Sequence, residues 1–206
     1  FVSHADQDHI SGITEVIGSG YDIDNIVVAK AAVGDEPLDE LVGAAADAGI
    51  NICYMSAGDV VMMPGDDGKS VKRQIKCLYP GTDDTSEDRN NMSLVLKIDD
   101  EDFSGIFAGD IPSEVEMELV KRHGDSLDAD FYKSDHHGSK YSNSSEWLEA
   151  ISPKWTAVSC AEQNRYGHPA DEAIERIENS NSRIFYTMKS GQIKYKESAV
   201  YENNRQ

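Results

Sequence analysis

Long apolar runs are missing from this 206-residue chain, and so is any close pairing of its three cysteines. No stretch approaches the roughly 20 apolar residues that cross a bilayer, and no signal-peptide pattern opens the sequence. A soluble, cytoplasmic domain is the expectation, with a membrane-associated parent protein as the other arrangement. Cys53, Cys77 and Cys160 lie far apart with no CxxC spacing, so neither a thiolate zinc site nor a disulfide framework is expected. Buried free thiols are, and an odd count suits a reducing compartment. Basic charge is equally scarce. Nineteen Lys and Arg against 38 Asp and Glu leave a net charge of -19, which sets up a field that repels nucleic acid. The modest basic clusters run from Lys69 to Arg73 and from Lys189 to Lys196, short of the patch that grips a DNA backbone. The acidity reads as a device for solubility.

What is present is enough to fold. Hydrophobic residues make up 39% and charged residues 28% of the chain, ordinary for a globular protein, and the length fits one domain over residues 1–206. Phe1 to Ser3 reads as the end of a strand, Asp8 to Gly18 as a helix, Asn25 to Ala29 as a buried strand, Leu38 to Ala48 as a helix and Ile50 to Tyr54 as a strand. Short strands follow at Asp59–Met63, Lys72–Tyr79, Ser93–Ile98 and Phe103–Ala108, with an acidic loop, Gly81 to Asn91, expected to be solvated. Alternation then resumes: helix Ser113–His123, strand Phe131–Ser134, helix Ser145–Ile151, strand Thr156–Ser159 and helix Pro169–Asn179. Strands Arg183–Tyr186, Gln192–Lys196 and Ala199–Tyr201 close the chain. The pattern predicts a layered α/β fold.

Four polar clusters carry the chemistry. His4-Ala5-Asp6-Gln7-Asp8-His9 offers four ligands within six residues, after a strand and at a helix start. Alternate residues fan out from an extended loop, so one loop could serve two metals. Asp110 ends the run Phe107-Ala108-Gly109-Asp110, where a bridging ligand belongs. His136 and His137 follow a strand in Asp135-His136-His137-Gly138-Ser139; they could complete the metal site, donate hydrogen bonds to a phosphate, or protonate a leaving oxygen. His168, in Asn164-Arg165-Tyr166-Gly167-His168-Pro169, stands at a strand-to-helix corner that Pro169 can open. Imidazole and carboxylate suit zinc first, then manganese or iron.

Taken in order, SHADQDHISGI, NNMSLVLKI, IFAGDI, DHHGSKYSNS and NRYGHP resemble the metallo-β-lactamase superfamily, and within it the hydrolase domain of ComEC-type competence proteins. SHADQDH is similar to that group's HxDxDH variant of the general HxHxDH motif. The resemblance implies an αββα sandwich with two divalent metals, zinc or manganese, at one edge. It implies His4 and Asp6 on one metal, Asp8 and His9 on the other, Asp110 bridging and His168 completing the second site. Asp8, Asp110, His136 and His137 would be catalytic, with Lys140 and Arg165 as further phosphate contacts. The substrate implied is a phosphodiester, either single-stranded nucleic acid or a small ester. A binding module that has lost catalysis is the contrasting reading. Two departures stand out: Asn90-Asn91 occupies the place of a further metal histidine, and the strands that precede the first motif in the superfamily are absent, so the first sheet is expected to lack its edge.

Overall fold

The computed structural model describes residues 1–64, 71–196 and 199–203. Its first layer is a pair of amphipathic helices, α1 (Gln7–Gly18) and α2 (Glu36–Asp47). Beneath them lies a two-stranded parallel sheet of β1 (Asn25–Ala29) and β2 (Asn51–Met55). Strand alternation explains why this sheet is a middle layer. Ile26 and Val28 point outward into a core with Ile10, Leu38 and Leu41, whereas Val27 and Ala29 point inward to Ile75, Cys77, Leu94 and Leu96.

Of those inward partners Ile75, Cys77 and Leu96 belong to, and Leu94 immediately precedes a strand of, a seven-stranded mixed sheet, which runs in sequence order through β3 (Val60–Pro64), β4 (Val71–Tyr79), β5 (Val95–Asp100), β6 (Phe103–Phe107), β7 (Phe131–Lys133), β8 (Trp155–Val158) and β9 (Arg183–Tyr186). β3 to β6 pair antiparallel and β6 to β9 parallel. The last layer is α3 (Ser113–His123), α4 (Ser145–Ile151) and α5 (Asp171–Asn179). Val95, Ile106 and Tyr132 of the sheet meet Leu119, Trp147, Ile151 and Ile177 of these helices in the largest core. The order helix, sheet, sheet, helix is the αββα sandwich, with a mixed main sheet. A short helix α6 (Thr187–Ser190), not anticipated, precedes the hairpin β10 (Gln192–Lys196) and β11 (Ala199–Asn203). Tyr195 fastens that hairpin to the sandwich against Phe103 and Trp155.

Several expectations need correction. Phe1 to Ser3 forms no strand; Val2 N–H donates to Val27 and Ser3 accepts from Leu94, so the segment stitches the two sheets together instead of extending either. Helix α5 begins at Asp171, not Pro169, because Ala170 N–H donates to the Gly138 carbonyl and ties the preceding residues to the histidine loop. The acidic loop is anchored, not merely solvated: Arg122 grips Asp84 and Arg89 grips Asp35. Of the cysteines only Cys77 is buried; Cys53 is exposed and Cys160 intermediate, and all three are free. Lys69 and the side chains of Lys72 and Lys196 lie outside the described residues, while Arg73 is paired with Asp100 at 2.7 Å. No helix among the described residues is long and apolar enough to cross a membrane.

Candidate metal centre

The polar clusters converge where the two sheets meet. His4 and Asp6 precede α1, and Asp8 and His9 occupy its first turn, so the motif is half extended loop and half helix. Asp110 follows β6, the histidine pair follows β7, and all are drawn to one point. Gly109 makes this convergence feasible: its φ is +62°, and a Cβ there would stand 2.8 Å from the Cβ atoms of Ser3 and Ser93. The Asp110 N–H donates to Ser93 Oγ at 3.1 Å.

At the centre, His9 Nε2 and His137 Nε2 are 3.3 Å apart and each lies 3.3 Å from Asp110 Oδ2. Asp8 Oδ2 stands 3.7 Å from His9 Nε2 and 3.5 Å from His137 Nε2. Ligand atoms about 2.1 Å from a tetrahedral ion stand about 3.4 Å from one another, so these separations match an ion's coordination shell. The Nδ1 of His137 donates to the Ser159 carbonyl at 2.7 Å, which orients the ring with Nε2 toward Asp110 and His9. His9 Nδ1 is 3.0 Å from Ser3 Oγ. The serines thus orient the imidazoles, a function that single positions in the sequence did not advertise.

Asp8, His9 and His137 form one grouping within reach of a common ion, and a second, His4, His9 and Asp110, shares His9 with it. His4 is buried, and its Nε2 has no hydrogen-bond partner. Burial first, then the neighbouring His9, pushes its pKa down to about 4, which keeps the ring neutral and able to ligate. Asp6 approaches His4 Nε2 only to 3.7 Å and shares its other oxygen with Arg89 at 3.5 Å. His168 joins neither group: its ring lies against His136, 5.5 Å between centroids, with a buried, unpartnered Nδ1. Asn90 and Asn91 sit in a helical turn ahead of Ser93.

The electrostatics favour a cation. Burial pushes the Asp110 carboxyl up, but hydrogen bonds from His137 and His9 and the Lys133 charge outweigh it and hold it well below the usual carboxylate range. The bond to Asp110 raises His137, whereas burial lowers His136 and His168. Lys133, absent from the sequence reading, stands 3.8 Å from Asp110 Oδ1 and donates to the Gly109 carbonyl; a lysine at the very end of a strand was its signal. Lys140 and Arg165 instead lie over the rings of Tyr141 and Tyr166. A cavity of about 580 Å³ opens beside Asp8, His9, Lys133 and His137, with Leu96 and Phe107 on its apolar wall.

An αββα sandwich with such a cluster at the sheet edge is the metallo-β-lactamase fold, and the chain is similar to a part of the ComEC-type competence proteins. It is 31% identical to ComE operon protein 3 of Bacillus subtilis (strain 168) over 195 residues, 95% of this chain and 24% of that protein. It is 29% identical to competence protein ComA of Neisseria gonorrhoeae over 52% of this chain and 16% of that one. The chain therefore spans about a quarter or less of the length of these relatives. Among solved structures, CmlA, a diiron β-hydroxylase from Streptomyces venezuelae, shares the fold with a TM-score of 0.55 at 12% identity, covering 88% of this chain and 42% of CmlA. No family model matches the chain.

Proposed function

We propose that this domain is a metal-dependent hydrolase that cleaves phosphodiesters. The observation that carries the reading is the mutual spacing of Asp8, His9 and His137 at 3.3 to 3.7 Å, with Asp110 3.3 Å from both histidines. Asp8, His9 and His137 would hold one divalent ion, and His4 with Asp110 would contribute to a second. The bound ions would supply Lewis acidity and a nucleophile available near neutral pH.

The chain's own groups do the rest. Asp110, a member of the second grouping, lies 3.3 Å from His137 of the first, so its buried carboxylate would stand between the two. Ser159 holds the His137 tautomer. His136 belongs to neither grouping and its Nε2 lies 3.9 Å from Asp110, which suits it to passing a proton to the leaving oxygen. The Lys133 ammonium faces the same cavity and offers positive charge to a phosphoryl oxygen.

Resemblance to the competence proteins favours single-stranded nucleic acid as substrate. The net charge of -19 favours a small diester, which carries less charge into the negative field. Metal content and hydrolysis of bis(p-nitrophenyl) phosphate and single-stranded DNA test the proposal together. One or two ions per chain with diesterase activity, both lost in Asp110→Ala, is the expected result. Full activity in Asp110→Ala sinks the site, and an inactive, metal-free protein favours a binding module.

A further inference from the structure

His136 and His137 both adopt left-handed backbone, at φ 48° and 56°, a conformation that non-glycine residues keep only where their surroundings over-determine it. The surroundings here are a buried polar hub reaching in from two helices. Asn143 Oδ1 accepts from Tyr132 OH at 2.9 Å, Ser134 Oγ at 2.8 Å and Asp135 N–H at 3.1 Å, while its Nδ2 donates to the Asp135 carbonyl at 3.1 Å. Nδ2 also donates to the Ser139 carbonyl at 3.4 Å, so both ends of the loop are tied to one side chain.

That side chain is itself held. Glu116 of α3, fully buried on the helix's apolar face, accepts from the Asn143 N–H at 2.5 Å and the Ser144 N–H at 2.8 Å. Arg176 of α5 donates to the carbonyls of Asn143, Lys140 and Ser142 at 2.8 to 2.9 Å. A carboxylate is costly to bury, and pinning an ordinary turn needs no more than a neutral acceptor. We infer that Glu116 is a positioning residue, which sets His136 and His137 against Asp110 through Asn143 without touching the ions or substrate. This inference rests on the hydrolase reading for its kinetic consequence, but not for its effect on the ion.

The test compares Glu116→Gln with Leu119→Ala, a core truncation on the same helix that removes none of the hub's hydrogen bonds. Mn²⁺ affinity, melting temperature, and kcat and KM on bis(p-nitrophenyl) phosphate are measured for each. Glu116→Gln should weaken Mn²⁺ binding or kcat by about ten- to a hundredfold, leaving KM within about twofold. Leu119→Ala should lower the melting temperature at least as far and spare both. Arg176→Met, which releases the same loop from the other helix, should repeat the Glu116→Gln pattern and serves if that variant does not fold. Wild-type Mn²⁺ affinity and kcat in Glu116→Gln, or equal losses in Leu119→Ala, would overturn the inference. A wild-type protein that binds Mn²⁺ without cleaving the diester overturns the hydrolase reading alone, and Mn²⁺ affinity then decides the role of Glu116.

Discussion

Gly109 bears more on the site than its lack of a side chain suggests, because it sits between Ser3, which orients His9, and Ser93, which orients Asp110. Gly109→Ala would drive a methyl into both serines and strain a positive φ, at a cost of about 1–3 kcal/mol. Metal affinity should fall with it, and thermal unfolding with and without Mn²⁺ checks both effects. The ligand spacing separates the histidines further. His137→Ala removes one member of the Asp8, His9 and His137 grouping and should lower ion affinity by tenfold or more, whereas His168→Ala, outside both groupings, should leave it within a few-fold. Calorimetric titration with Mn²⁺ or Zn²⁺ distinguishes them, and equal losses would return His168 to the ligand set. At this scale the sequence was informative about residue type and mute about pairing. His4, His9 and Asp110 stood out by spacing, but only the fold turns His137 toward His9, 128 positions away.

Elements were more legible than contacts. The bounds of β1, α3, α4, β9 and β10 agree with the hydrophobic periodicity and capping signals in the chain, since each carries an uninterrupted pattern between strong breakers. Phe1 to Ser3 misled because three residues cannot display a period. Pro169 misled because a tertiary bond from Ala170 to Gly138 overrides its preference for a first helical turn. The loop before β5 hid its anchors among like charges. Of its acids, Asp84 is paired, with Arg122 donating at 3.0 Å. That hydrogen bond first of all holds the Asp84 carboxyl below its ordinary 3.8. A carboxyl lowered in the folded state stabilises above its unfolded pKa and loses that contribution as pH falls through the folded value. Arg122→Ala should therefore lower the urea midpoint at neutral pH, by a difference that narrows below about pH 3.8. A constant difference across the range would remove Asp84 from the account.

The whole molecule sets the terms on which a polyanion arrives. With a net charge of -19, approach of single-stranded DNA is opposed by a field that salt screens. Its kcat/KM should therefore rise between about 50 and 200 mM NaCl, against the fall that marks a basic DNA-binding protein. Stopped assays at fixed Mn²⁺ measure the slope, and a steep fall would mean that the local field at Lys133 outweighs the global one. The layers matter as well as the charge. His4, Asp8 and His9 come from the segment ahead of the small sheet, Asp110 and His137 from the large one, and Leu94 lies in the seam, its N–H bonded to Ser3. An ion held by both sides would be a rivet through that seam, and linkage requires the two to strengthen each other. Loosening the seam with Leu94→Ala, which removes no ligand, should therefore release the ion at lower chelator concentration than wild type, so that the grip on the metal reports how firmly the two halves of the sandwich are closed.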